Sequence, residues 1–169
     1  ERVLFVATAE AKDEAMRRRI QAHRRTRPSR WRTVEAPIEV SKAIAQESGD
    51  CQVVLLDCLT LLTANAMGQT AGDDPEDAAT LQSARQRLEE ELEAVLEWFH
   101  VHHAHLIVVS NEVGMGVVPP YPMGRAYRDL LGWANQWLAR QADEVYFVVA
   151  GLPLELKGLA KLAQEETLG

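Results

Sequence analysis

The chain has 169 residues, 47% of them hydrophobic and 25% charged, with a formal net charge of −7. That is enough for a single compact domain with its own core. No run approaches the roughly 18 apolar residues of a membrane-spanning helix and no signal peptide precedes the first apolar run, so a cytoplasmic protein is expected. The overall charge hides an island. Between Arg17 and Arg32 lie eight arginines (17, 18, 19, 24, 25, 27, 30 and 32) and no acid, leaving ten Lys+Arg against 25 Asp+Glu elsewhere. Such an island concentrates positive field where an anion docks. DNA or RNA would want a broader basic surface, so a small phosphorylated ligand is expected and nucleic acid is not.

In chain order, Arg2–Thr8 reads as a strand, continuously apolar in its middle as a buried parallel strand is. From about Lys12 to Arg25 a helix is expected, with Ala15, Met16, Ile20 and His23 on one face; Pro28 stops it. Trp31–Val34 fits a short strand and Glu39–Glu47 a helix. Gln52–Asp57 is a second buried strand, flanked by Cys51 and Cys58. Opposite ends of one short strand suit a disulfide poorly, so both cysteines are expected reduced and buried. Thr60–Met67 reads as helix, Gly68–Glu76 as a polar loop, and Asp77–His100 as a long helix with a stripe from Leu81 to Phe99. Leu106–Ser110 is a third buried strand, Gly114–Gly124 a Gly/Pro loop, Arg125–Gln141 a helix and Glu144–Val149 a fourth strand. Leu152–Leu168 is expected to be a loop followed by a weak helix. Strands alternating with helices predict an α/β fold, a mostly parallel sheet with helices on both faces in one domain over 1–169. Ligands in such sheets sit at the strands' carboxyl ends, here Ala7-Thr8-Ala9, Asp57, Asn111-Glu112 and Ala150-Gly151.

Asp57 closes the run Val53-Val54-Leu55-Leu56. Four aliphatic residues and an acid form the pattern of a Walker B strand, whose carboxylate reaches Mg²⁺ or its water shell; an acid there also serves as an ordinary cap. The companion GxxxxGKS/T loop is not among these residues. In this fold class it lies between a first strand and first helix, so a strand and phosphate loop are expected upstream of Glu1. His23 sits among guanidinium groups, which favour the uncharged imidazole, the form that attacks phosphorus. The same cations would neutralise a triphosphate and its leaving pyrophosphate. Asn111-Glu112-Val113-Gly114-Met115-Gly116 gives polar groups and then two glycines, a loop able to approach a ligand closely. His100, His102, His103 and His105 match no common zinc spacing and read as solvated residues of a connector. Trp31, Trp98, Trp133 and Trp137 read as packing residues.

Taken together, Arg19-Ile20, His23-Arg24, Arg27-Pro28, Trp31-Arg32-Thr33 and Glu35 resemble the guanylylation segment of the bifunctional adenosylcobinamide kinase / adenosylcobinamide-phosphate guanylyltransferases. Asn111 to Pro119 resembles that family's next signature. Arg125, Arg128-Asp129, Gly132 and Asn135-Gln136 match the helix after it, and Ala142 to Val145 with Gly151 the last strand. The resemblance implies a P-loop, RecA-like fold and two reactions. A nucleoside triphosphate, ATP or GTP, phosphorylates adenosylcobinamide; GTP then donates GMP to adenosylcobinamide phosphate, giving adenosylcobinamide-GDP and pyrophosphate. It implies that His23 is guanylylated and that Ala7, Thr8, Ala9, Arg24, Arg25, Thr26, Arg27, Glu35 and Asp57 contact the nucleotide. It also implies Mg²⁺ dependence and a cytoplasmic homo-oligomer. Two other readings stand beside it: another RecA-like ATPase that uses Asp57 but not His23, and a non-catalytic nucleotide- or corrinoid-binding module.

Overall fold

The computed structural model describes residues 2–11, 13–70 and 77–161. It falls into two compact units, Glu1–Ala134 and Asn135–Gly169. The polar stretch expected as a loop from Gly68 lies partly outside the described residues, at 71–76.

In the first unit, β1 (Val3–Ala7), β2 (Arg32–Glu35), β3 (Val53–Asp57) and β4 (His105–Val109) form a four-stranded sheet in the order β2-β1-β3-β4, every pairing parallel. All five residues of β1 are buried, as are Val54 and Leu56 of β3. Both strands are central, and a strand covered on both faces needs no polar alternation. The register sets Ala7 level with both Glu35 and Asp57, and Asp57 level with Val109. One edge of the sheet therefore gathers the carboxyl ends of all four strands.

Four further elements cover the sheet or connect its strands: α1 (Glu14–Thr26), α2 (Val40–Glu47), α3 (Leu59–Thr70) and α4 (Ala78–Val101). The helix α4 turns Ala84, Leu88, Leu92 and Val95 inward at three- and four-residue spacing, and α2 and α3, whose buried residues include Val40, Ile44, Leu62 and Ala66, pack against it. The long helix α5 (Pro122–Gln141) contributes Leu130, Leu131 and Ala134 to this unit's buried set. Its start lies before the Arg125 boundary expected from sequence, because a proline at the first helical position costs no hydrogen bond.

Two strand expectations change. β4 lies at the edge of the sheet, and Ile107 and Val109 are exposed. An apolar run encodes a strand without encoding its place in the sheet order. In the second unit, β5 (Tyr146–Val149) pairs antiparallel with β6 (Leu152–Glu155), a strand where a loop was expected. Ala150 and Gly151, expected at a ligand-facing strand end, instead form the hairpin's two-residue turn with φ of 52° and 79°. Two positive values mark the primed turn whose twist suits a hairpin. The helical turn at 156–161 follows, its first amides bonded to the Glu155 carboxylate.

Among the described residues no helix is long and apolar enough to cross a membrane. Cys51 and Cys58 are free, as expected, but half-buried rather than buried. Trp31 packs on Phe5, and Trp133 lies under the Arg85 guanidinium. His100, His102, His103 and His105 are all exposed, with the His102 ring stacked on Trp98.

Candidate functional site

The arginine island folds into α1 and the turn behind it. Asp13 caps the helix by accepting the Met16 amide at 2.7 Å, and the last turn carries His23, Arg24 and Arg25, where cations suit the helix dipole. Arg27 leaves the helix in an extended conformation, φ −74° and ψ 143°, which the following Pro28 demands. No residue of α1 is buried. The face expected to be apolar is only shallowly covered: Met16 and Ile20 are half-buried, while Ala15 and His23 are exposed. The His23 side chain thus stands on the surface, not in the core.

Arg24 reaches across to β2, its Nη2 2.6 Å from Glu35 Oε1. The Arg27 guanidinium lies 3.4 Å above the Phe5 ring, and its Nη1 donates to Thr33 Oγ1 at 3.4 Å. Burial pulls the Arg27 guanidinium below its ordinary value; Asp57 and Glu35 oppose this and Arg24 adds to it. Those influences place Arg27 within the field of both carboxylates. The last turn of α1 meets the end of β2 through Arg24 and Glu35, and Arg27 feels Arg24, Glu35 and the Asp57 carboxylate at the end of β3; His23 precedes Arg24 in the same turn. Arg17 and Arg18 pair with Glu14 at the other end of the helix. Among the described residues Arg19, Arg25 and Arg30 form no ion pair, so the island retains uncompensated charge.

At the exit of β1 the Thr8 side chain is engaged within the fold. Thr8 is fully buried, and its Oγ1 donates to Cys58 O at 2.7 Å and accepts from Cys58 N at 2.8 Å. Its hydroxyl holds the end of β3 rather than facing outward, and only its half-buried neighbour Ala9 borders solvent. Ala7 O accepts the Ala36 amide at 2.9 Å, continuing the β1–β2 ladder past Glu35. Thr26, also expected at the nucleotide, is exposed and donates its hydroxyl to His23 O at 2.8 Å. Asp57 is half-buried at the strand end.

Sequence reasoning missed two residues of α3 and one of α5. Asn65 Nδ2 donates to Thr8 O and to Pro37 O, both at 2.9 Å. Thr60 Oγ1 accepts both the backbone amide and the side-chain amide of Asn111, at 3.1 and 3.2 Å, and Tyr127 donates to Thr60 O at 3.2 Å. Nothing local singled them out, because α3 carries further polar residues in Thr63, Gln69 and Thr70. The Asn111–Gly116 loop follows β4 at the same sheet edge, with its Met115 and the next residue, Val117, exposed. A groove of about 600 Å³ between α2, α3 and α4 is lined by Ile38, Lys42, Leu62, Gln69 and Arg87 among others, and by none of the residues expected at the nucleotide.

Comparison with known proteins gives this arrangement a context. Residues 1–156 match the family described as cobinamide kinase / cobinamide phosphate guanyltransferase. The chain is 42% identical over 156 residues to the Pseudomonas aeruginosa bifunctional adenosylcobalamin biosynthesis protein CobP, covering 92% of this chain and 83% of that protein. It is 36% identical over 155 residues to the protein named CobU from Escherichia coli K12, and 35% over 158 to its Salmonella typhimurium LT2 namesake, each covering 92% of this chain and 86% of the relative. An α/β fold with a parallel sheet, a basic segment beside two carboxylates at the strand ends, and a match over most of the chain agree: this chain belongs to the cobinamide kinase / cobinamide phosphate guanyltransferase family.

Proposed function

We propose that the chain phosphorylates adenosylcobinamide and then transfers GMP from GTP to adenosylcobinamide phosphate, with His23 carrying the GMP between the two substrates. The observation that carries the second half is the position of His23: exposed, in the last turn of an arginine-rich helix, with Arg24 of the same turn anchored to Glu35 at the sheet edge that also presents Asp57. In the first reaction ATP or GTP gives its terminal phosphoryl group to the hydroxyl of adenosylcobinamide.

In the second, a ring nitrogen of uncharged His23 bonds to the α-phosphorus of GTP. The bond from that phosphorus to the bridging oxygen breaks, and pyrophosphate leaves with the electron pair. A phosphate oxygen of adenosylcobinamide phosphate then attacks the same phosphorus, the N–P bond breaks, and the imidazole is restored. Dividing the transfer in two lowers each barrier, and an uncharged nucleophile meets no repulsion from the phosphates. In this proposal Arg25 and Arg27 offset charge on the departing pyrophosphate. Asp57, a half-buried carboxylate at a strand end, suits Mg²⁺, which holds most of its water and takes one or two protein carboxylates. The ion would neutralise phosphate charge there. A cytoplasmic homo-oligomer belongs to the same proposal.

The test is transfer itself. With α-labelled GTP, Mg²⁺ and adenosylcobinamide phosphate, the label is expected in the corrinoid product, one pyrophosphate released for each. Label that leaves only as free GMP or GDP, with the corrinoid unlabelled, refutes the proposal.

A further inference from the structure

We infer that Asn65 is a positioning residue for guanylyl transfer, holding the exits of β1 and β2 at a fixed separation so that the last turn of α1 presents His23. The inference rests on the function proposed above. Both partners of the Asn65 side chain are backbone carbonyls, Thr8 O and Pro37 O, each at 2.9 Å. Carbonyls only accept, so the group facing them is the NH₂ end of the carboxamide, with both of its hydrogens engaged. Those carbonyls belong to different strand exits, 28 and 57 residues from Asn65 in sequence. Asn65 itself is half-buried on α3, a helix fixed by the buried Leu62, Thr63, Ala66 and Met67.

The consequence runs outward through contacts already described. Pro37 lies two residues after Glu35, and the Ala36 amide between them bonds to Ala7 O at 2.9 Å. Glu35 holds Arg24 at 2.6 Å, and Arg24 follows His23 in the last turn of a helix with no buried residue. Because the core does not hold α1, the position of that turn depends on such tethers. Asn65 thus sets where Glu35 stands, and Glu35 helps to set where the imidazole stands. Leucine in its place has nearly the same size and no donor. Aspartate would set a carboxylate against two carbonyl oxygens.

The experiment measures the rate of covalent labelling by α-labelled GTP, as a function of GTP concentration, in the protein and in Asn65→Leu, Glu35→Gln and the double variant, with thermal unfolding alongside. Expected is a fall of roughly 10- to 100-fold in the labelling rate of Asn65→Leu at saturating GTP, the size that an ångström of misplacement brings, with a smaller change in half-saturating GTP. In the Glu35→Gln background the loss from Asn65→Leu should shrink, because the two act through one path. If Asn65→Leu does not fold, Asn65→Ser, smaller and with one donor, is used in the same cycle. Labelling at the unsubstituted rate with only a lower melting temperature overturns the inference, as do losses that multiply independently. Absence of any label on the unsubstituted protein would instead overturn the function on which it rests.

Discussion

Replacing Thr8 by valine separates what its hydroxyl does from what its bulk does. The two side chains have the same shape, and the site is fully buried, so a purely apolar account predicts that Thr8→Val is harmless or stabilising. The hydrogen bonds predict otherwise. Thr8 Oγ1 donates to Cys58 O at 2.7 Å and accepts from Cys58 N at 2.8 Å. Cys58 O also accepts the Leu62 amide at 3.1 Å, so it keeps a partner in the variant. Among the described residues Thr8 Oγ1 is the acceptor that Cys58 N has. Cys58 is half-buried, so leaving its amide unpaired costs about 1–2 kcal/mol and losing the second bond about 1 kcal/mol more, and Thr8→Val should lose roughly 2–3 kcal/mol. Thr8→Ser keeps the hydroxyl and gives up one buried methyl, about 1 kcal/mol. Urea unfolding followed by circular dichroism measures both, and melting temperatures should move about 2–4 °C per kcal/mol for a chain of this size. Valine should therefore be worse than serine. If Thr8→Val proves as stable as Thr8→Ser, or more so, the hydrogen-bonded reading of the β1 exit is wrong.

The remaining expectations concern the ion pair, the arginine over Phe5, the start of α5 and a cysteine. Glu35→Gln breaks a pair whose side chains are 47% and 51% exposed, so stability should change by no more than about 1 kcal/mol, whereas the saturated labelling rate should fall clearly. Arg27→Lys keeps the charge but loses the flat contact on Phe5, and should cost about 1–2 kcal/mol by urea unfolding; a change indistinguishable from zero would remove that contact from the account. Gly124→Ala would bring a Cβ to 2.5 Å from Tyr121 and 2.7 Å from Pro119, and overpacking of this kind costs about 1–3 kcal/mol, read as a lower urea midpoint. Burial pushes the Cys51 thiol up. Its folded state therefore holds the proton past the ordinary thiol range, so alkylation by iodoacetamide at pH 8 should be slower in the folded protein than after urea unfolding; equal rates would contradict it.

Local chemistry in the sequence carried a good part of this structure. The unbroken apolar runs of β1 and β3, the acid ending β3 and the stop at Arg27-Pro28 each follow from a few adjacent residues. The α/β class and the basic segment beside a strand-end carboxylate follow from their order. What depends on distant partners was not legible. Leu106 to Ser110 looks like a central strand, but only pairing decides that β4 lies at the edge with Ile107 and Val109 exposed. Leu152–Glu155 is too short, contains Pro153 and follows Gly151 directly, so it does not declare itself a strand without the β5 partner. Thr8 matched a nucleotide-contact position, yet its hydroxyl turns inward because Cys58, fifty residues away, offers both a donor and an acceptor. Asn65 gave no sign of its role because its two carbonyl partners come from the exits of two different strands.

The most direct measurement is intact-mass and peptide mapping of the protein after brief incubation with GTP and Mg²⁺, quenched in alkali to preserve an N–P bond. A single GMP adduct is expected on the peptide bearing His23, absent in His23→Asn and discharged when adenosylcobinamide phosphate is added. An adduct on a different residue, or GMP transfer to the corrinoid that persists in His23→Asn, would contradict the claim that this imidazole carries the nucleotide.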